Sequence, residues 1–262
     1  MNKKIQLAVE VMADSVRVEC CTSDYGFTDI FDSFEKIKYH CIRYPIGSEA
    51  FLGFAMLKDS ERIVFTNSSQ ILSREVFTAA HELGHHRLHL SEFGRTLIKD
   101  DDCGEKNELE IEANYFAACL LMPADKIERF KRLELNLKDP IYWDGFDIAR
   151  IQTAFNVSYD MALVRLKALG YINDPVSDKL KMDKNKRTAS RLLSVIGGNI
   201  DLCKATDVKK VPAEFLEWVI GNYNEKLIPK QSLEKALSYL DLQADDFVSN
   251  GCSEDGLPEG IN

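Results

Sequence analysis

The sequence predicts an α+β fold, mostly helical, with one small antiparallel sheet. Three observations point there. Apolar residues recur at three- and four-residue spacing over most of the chain. One stretch breaks that rhythm: residues 51–67, FLGFAMLKDSERIVFTN, are two apolar runs around the turn-prone KDSER, a hairpin pattern. Helical segments stop at Pro123 and Gly170, as these residue types require.

Residues 3–18 place Ile5, Val9, Met12 and Val16 at helical spacing, predicting an amphipathic entry helix. Residues 28–39, TDIFDSFEKIKY, predict a second helix with Thr28 as its cap. The sheet follows between Ile42 and Asn67. Ser73 is positioned to cap the next helix, which ends near Leu90. KDDDCGEK, residues 99–106, is a polar loop, and NELEIEANYFAACLLMP then predicts about four helical turns. Helical pattern resumes after Trp143 and runs through DIARIQTAFNVSYDMALVRLKALGYI, with Tyr142 and Trp143 read as core residues. PAEFLEWVIGNYNEKL and KQSLEKALSYL predict two more helices, and the Gly-, Pro- and acid-rich tail after Phe247 predicts disorder.

At 262 residues, 45% hydrophobic and 29% charged, the chain has the composition of a soluble globular protein. A net charge of −9 argues against a general nucleic-acid binder. No stretch approaches the roughly 20 apolar residues of a membrane helix, and Glu10 and Asp14 interrupt any signal-peptide core. Cysteines 20, 21, 41, 103, 119, 203 and 252 form an odd set without a C-x-x-C pair. That pattern predicts reduced thiols and a cytoplasmic location.

The chemistry lies in FTAAHELGHHRL, residues 77–88. A helix turns about 100° per residue, so His81 and His85 project side by side and Glu82 sits on the rim of the same face. H-E-x-x-H in this geometry suits two imidazoles holding zinc, with the glutamate acting on water. Small neighbours Ala79, Ala80 and Gly84 suit a helix buried against others, where such polar groups need partners. His86 points elsewhere. His89 continues the stripe, but one straight helix cannot wrap three successive turns around one ion, so a third ligand must come from another element. NELEIEAN is the best source. Glu108 and Glu112 share a face there and Glu110 points away; Glu112, opening the apolar run, is preferred and Glu108 is the alternative.

These residues resemble the ImmA/IrrE family of zinc metallopeptidases. The resemblance rests on IVFTN, FTAAHELGHHRLH and EANYFAACLLMP, and covers about residues 42–123. It implies that His81, His85 and Glu112 hold one zinc ion per chain and that Glu82 is the catalytic glutamate. His86 departs from the family's usual apolar residue. The implied architecture is a small sheet packed on a zincin-type H-E-x-x-H helix, in a metallopeptidase domain over residues 1–130. A helix-turn-helix-like unit over 131–173 and a helical extension over 174–248 follow, then the 249–262 tail. The implied activity is cleavage of a helix-turn-helix repressor, which relieves repression of a mobile element or stress response.

The expected mechanism is peptide hydrolysis: zinc acidifies a water and Glu82 moves its proton. His89 or the 91–106 loop are candidate oxyanion donors, and Asn114 and Asn67 are candidate outer-shell acceptors for the histidines. Cys103 could reach the metal as a thiolate, although exposed loop cysteines are ordinarily inert. Two other classes compete. A non-proteolytic anti-repressor or toxin–antitoxin-type partner would not need Glu82. A DNA-binding regulator would use residues 150–170, which are barely basic. Residues 174–210 carry nine Lys or Arg against five Asp. That excess, with Phe215, Trp218 and Tyr223 beyond it, predicts that 174–262 recognise the protein substrate.

Overall fold

A computed structural model describes residues 1–22, 24–47, 51–58, 60–90, 97–98, 106–244 and 247. The chain divides into two compact units, Met1–Val208 and Lys209–Asn262. The expected boundaries at 130 and 173 are therefore not where the fold separates.

In the first unit, α1 (Lys3–Glu19) is capped by Asn2 and buries Val9, Ala13 and Val16, the stripe its spacing predicts. In α2 (Ile30–Lys36) the cap is Asp29, not Thr28. The Asp29 carboxylate accepts from the N–H groups of Phe31 and Asp32, because it immediately precedes the first helical residue.

The sheet has the order β1-β3-β2-β4, built from β1 (His40–Tyr44), β2 (Gly53–Lys58), β3 (Glu61–Asn67) and the short β4 (Leu97–Ile98). β2 and β3 form the expected antiparallel hairpin. The sheet is nevertheless mixed and not wholly antiparallel, since β1 pairs parallel with β3. The cause is the connection. Gly53 starts β2 opposite Thr66, at the end where Tyr44 finishes β1 opposite Asn67, so the hairpin's return strand must run with β1. Asn67 stitches this crossover: its Oδ1 accepts from Ile46 and Ser69, and its Nδ2 donates to Phe51 O.

α3 (Leu72–His85) carries the motif and continues into one π turn, His86–Leu90. Ser73 is buried and does not cap it. The helix start is satisfied from far along the chain: Leu72 N–H donates to Lys204 O at 2.7 Å, and Ile71 bridges Ala205. α4 (Lys106–Leu121) packs on α3 and stops before Pro123, as predicted. The contact is close. A Cβ on Gly84 would meet Phe116 Cδ1 at 3.0 Å and Ala113 Cα at 3.2 Å, so only glycine lets the helices approach this far.

The rest of the unit comprises α5 (Ala124–Leu133), α6 (Gly145–Phe155), α7 (Tyr159–Ala168), α8 (Asp174–Lys186) and α9 (Ala189–Ile196), then a 3-10 turn, Ile200–Cys203. Leu180, Leu192 and Leu193 join the same core as Trp143, Ile148 and Tyr159. Tyr159 OH donates to Leu180 O, and Lys179 Nζ donates to Ile141 and Trp143 carbonyls. Residues 174–208 thus complete the first core instead of forming a separate recognition extension. Trp143 is buried as expected; Tyr142 is 71% exposed and is not a core residue.

The second unit contains α10 (Ala213–Asn224) and α11 (Lys230–Ser238), which bury Leu233, Leu237 and Ala244 against Leu216, Val219, Ile220 and Tyr223. Among the described residues, no helix is long and apolar enough to cross a membrane.

Candidate metal centre

The four-residue spacing on α3 sets His81 beside His85, with ring centroids 4.6 Å apart and planes at 80°. Their Nε2 atoms lie 2.9 Å apart. Across the α3–α4 seam, Glu110 places Oε2 3.1 Å from His81 Nε2 and Oε1 3.1 Å from His85 Nε2. The carboxylate brought to the pair is therefore Glu110. Glu112, chosen on the sequence, lies against His89, with Oε2 at 3.4 Å from His89 Nε2. Its alternative, Glu108, is exposed.

The reason is which side of α4 meets α3. Ala113 lies under Gly84, and both Ala113 and Ala117 are fully buried. Glu110 and Asn114, four apart, flank Ala113 and share that face. The start of the apolar run was a poor guide, because α4 also buries Phe116 and Leu120 in the core. The small-residue stripe Ala113–Ala117 was the signal that could have identified Glu110.

His81 Nδ1 lies 3.1 Å from Asn114 Oδ1. An amide oxygen only accepts, so His81 carries a proton on Nδ1, and the contact aims its Nε2 at Glu110. His85 Nδ1 lies 3.0 Å from His89 Nδ1. Hydrogen bonds from His81 and His85 hold the Glu110 carboxyl well below the usual carboxylate range. Burial pushes Glu112 upward, helped by the charge of Glu108. His86 belongs to the core: Nε2–H donates to Ile63 O at 3.0 Å, the ring meets Tyr39 edge-on, and burial lowers its pKa to about 4.

The donor set fits a divalent first-row ion such as zinc. Two imidazole nitrogens and a carboxylate lie within 4.8 Å of one another, a combination zinc accepts. Ligands about 2.0 Å from a tetrahedral ion stand roughly 3.3 Å apart, close to the spacing here.

Glu82, next to His81 on α3, is buried. It faces the start of β2, where a Cβ on Gly53 would meet Phe65 O at 2.6 Å, Thr78 Cγ2 at 2.7 Å and Glu82 Cγ at 3.4 Å. Glycine is needed there for the strand to lie so close to the motif helix. His89 is engaged by His85 on one ring nitrogen and by Glu112 on the other. Asn67 is engaged on the crossover, with Ile46, Ser69 and Phe51. Cys103 and most of the 91–106 loop lie outside the described residues. In α7, Arg165 is buried and donates to Met122 O, so it is a packing residue.

Comparison with known proteins shows the family. Residues 24–167, more than half of the chain, match the family model of the M78 peptidases, described as the IrrE N-terminal-like domain. The chain is also similar to an uncharacterized immunity region protein 2 of Bacillus phage phi105. The two are 29% identical over 121 residues, which span 46% of this chain and 75% of the phage protein.

Proposed function

Because the chain belongs to the M78 peptidase family and carries its IrrE N-terminal-like domain, we propose that it is a zinc-dependent endopeptidase that cleaves a helix-turn-helix transcriptional repressor in the cytoplasm. One observation carries the reading. His81, His85 and Glu110 converge on one point, and the buried Glu82 follows His81 on the same helix. The phage relative's immunity-region name supports a regulatory protein as substrate.

His81, His85 and Glu110 would hold the ion, with one zinc per chain. Bound there, zinc supplies Lewis-acid polarisation and brings the pKa of water toward about 7. Asn114 holds His81 with its Nε2 aimed at Glu110, where it would meet the ion. Glu82 takes the proton of the attacking water and delivers it to the leaving amine, the role for which a buried carboxylate beside the ligands is suited. A pure binding module would have no use for that carboxylate. The test is incubation of the purified protein with the helix-turn-helix regulator encoded beside its gene. Cleavage that stops on chelation and returns with zinc supports the reading. Tight binding without cleavage in the presence of zinc would replace it with an anti-repressor role.

A further inference from the structure

We propose that His89 and Glu112 form a positioning chain behind His85, fixing the tautomer and aim of its imidazole; this rests on the reading of His81, His85 and Glu110 as metal ligands. To ligate through Nε2, His85 must carry its proton on Nδ1. That nitrogen lies 3.0 Å from His89 Nδ1, and both rings are buried, with 1% of each residue exposed. Two Nδ1 atoms at this distance cannot both carry a proton. His85 therefore donates and His89 accepts.

The proton of neutral His89 is then on Nε2, and it needs an acceptor. Glu112 Oε2 lies 3.4 Å away. The direction of the whole chain follows: His85 Nδ1–H to His89 Nδ1, and His89 Nε2–H to Glu112. With the His85 proton on Nδ1 and His89 neutral, this arrangement satisfies both contacts, and it aims His85 Nε2 at Glu110. His89 lies in the π turn His86–Leu90, one turn beyond His85, with ring centroids 5.1 Å apart. His81 has a shorter arrangement, a direct amide acceptor from Asn114. Glu112 is thus a positioning residue that acts on the centre through His89.

The experiment measures zinc affinity of the full chain by chelator competition, and the His85 tautomer of the metal-free protein by nitrogen chemical shifts. The expected results are a zinc Kd raised about 10- to 100-fold in His89→Phe and in Glu112→Leu, and His85 Nδ1 losing its proton-bearing chemical shift in His89→Phe. Glu112→Gln, which keeps an oxygen acceptor, should stay near wild type. The double variant His89→Phe/Glu112→Leu should be no weaker than His89→Phe alone. Equal weakening by Glu112→Gln and Glu112→Leu would reduce the effect to bulk charge and overturn the chain, as would wild-type affinity in Glu112→Leu. If His89→Phe does not fold, the Glu112 pair decides. The tautomer measurement needs no metal. A wild-type protein that takes up no zinc would therefore sink the function reading and leave the chain standing or falling on the His85 tautomer.

Discussion

His81 Nδ1 and Asn114 Oδ1 stand 3.1 Å apart, so the face of α4 that delivers Glu110 also orients the first histidine of α3. Replacing Asn114 by Ala should weaken zinc binding about 10- to 100-fold with little change in fold, since outer-shell acceptors of metal-bound imidazoles have effects of this size. Asn114→Asp keeps an acceptor oxygen and should lose less. Chelator competition on both variants provides the check, and equal losses would mean that the contact does not orient His81.

The two glutamates on α4 should separate clearly. Glu110 lies 3.1 Å from both histidine Nε2 atoms, whereas Glu112 lies against His89. Glu110→Ala should leave less than a tenth of the wild-type zinc at micromolar free metal. Glu112→Ala should still load fully when zinc is in excess. Metal analysis giving the reverse order would return the ligand role to Glu112.

Glu82→Gln should retain one zinc per chain while proteolysis falls about 10²- to 10⁴-fold, the range expected on removing a general base. Substrate cleavage followed by gel, beside metal analysis of the same sample, separates the two effects. A variant that cuts at near wild-type rate would remove Glu82 from the mechanism.

Truncation should distinguish the two halves of the C-terminal region. A chain ending at Val208 retains the whole first unit and should melt cooperatively. A chain ending at Asn173 lacks Leu180, Leu192, Leu193 and Leu202, all buried, and also the Lys204 carbonyl that receives the Leu72 N–H. A single buried leucine cut to alanine costs about 2–5 kcal/mol, so losing four costs about as much as the whole of a typical stability of about 5–15 kcal/mol. Circular dichroism melts should show the shorter chain unfolded or aggregated. If it melts like the longer one, residues 174–208 are not part of the core.

Arg43 and Glu75 form a buried bidentate pair, with N–O distances of 2.8 Å, to which Thr66 and Thr206 add contacts. Glu75→Ala strands the guanidinium inside the fold and should destabilise by about 3–5 kcal/mol. Denaturant unfolding measures this. A loss under 1 kcal/mol would show that Arg43 escapes to water or is held by its contact with the Phe31 ring alone.

The features legible in the sequence were local ones. His81 and His85 share a face, with Glu82 on its rim, because four residues make about one helical turn, and the β2–β3 hairpin follows from two apolar runs around a polar turn. Pro123 stops α4 because its ring has no place in a helix interior. Packing between distant segments settled the rest. Glu110 stands at the histidines because Gly84 and Ala113 let α3 and α4 meet on that side, and a pattern read along α4 weighs its apolar side chains without knowing which neighbour each one meets. Thr28 and Ser73 looked like caps because capping residue types are common at helix starts. Asp29 took the first position by being one residue nearer, and α3 had its leading N–H satisfied by Lys204. Residues 174–208 looked like a basic surface because their lysines dominate the composition, yet Leu180, Leu192, Leu193 and Leu202 fill the first core. Helix periodicity is a property of one segment, whereas a third ligand, an outer-shell partner or a core contact depends on two segments and on the side chains small enough to bring them together.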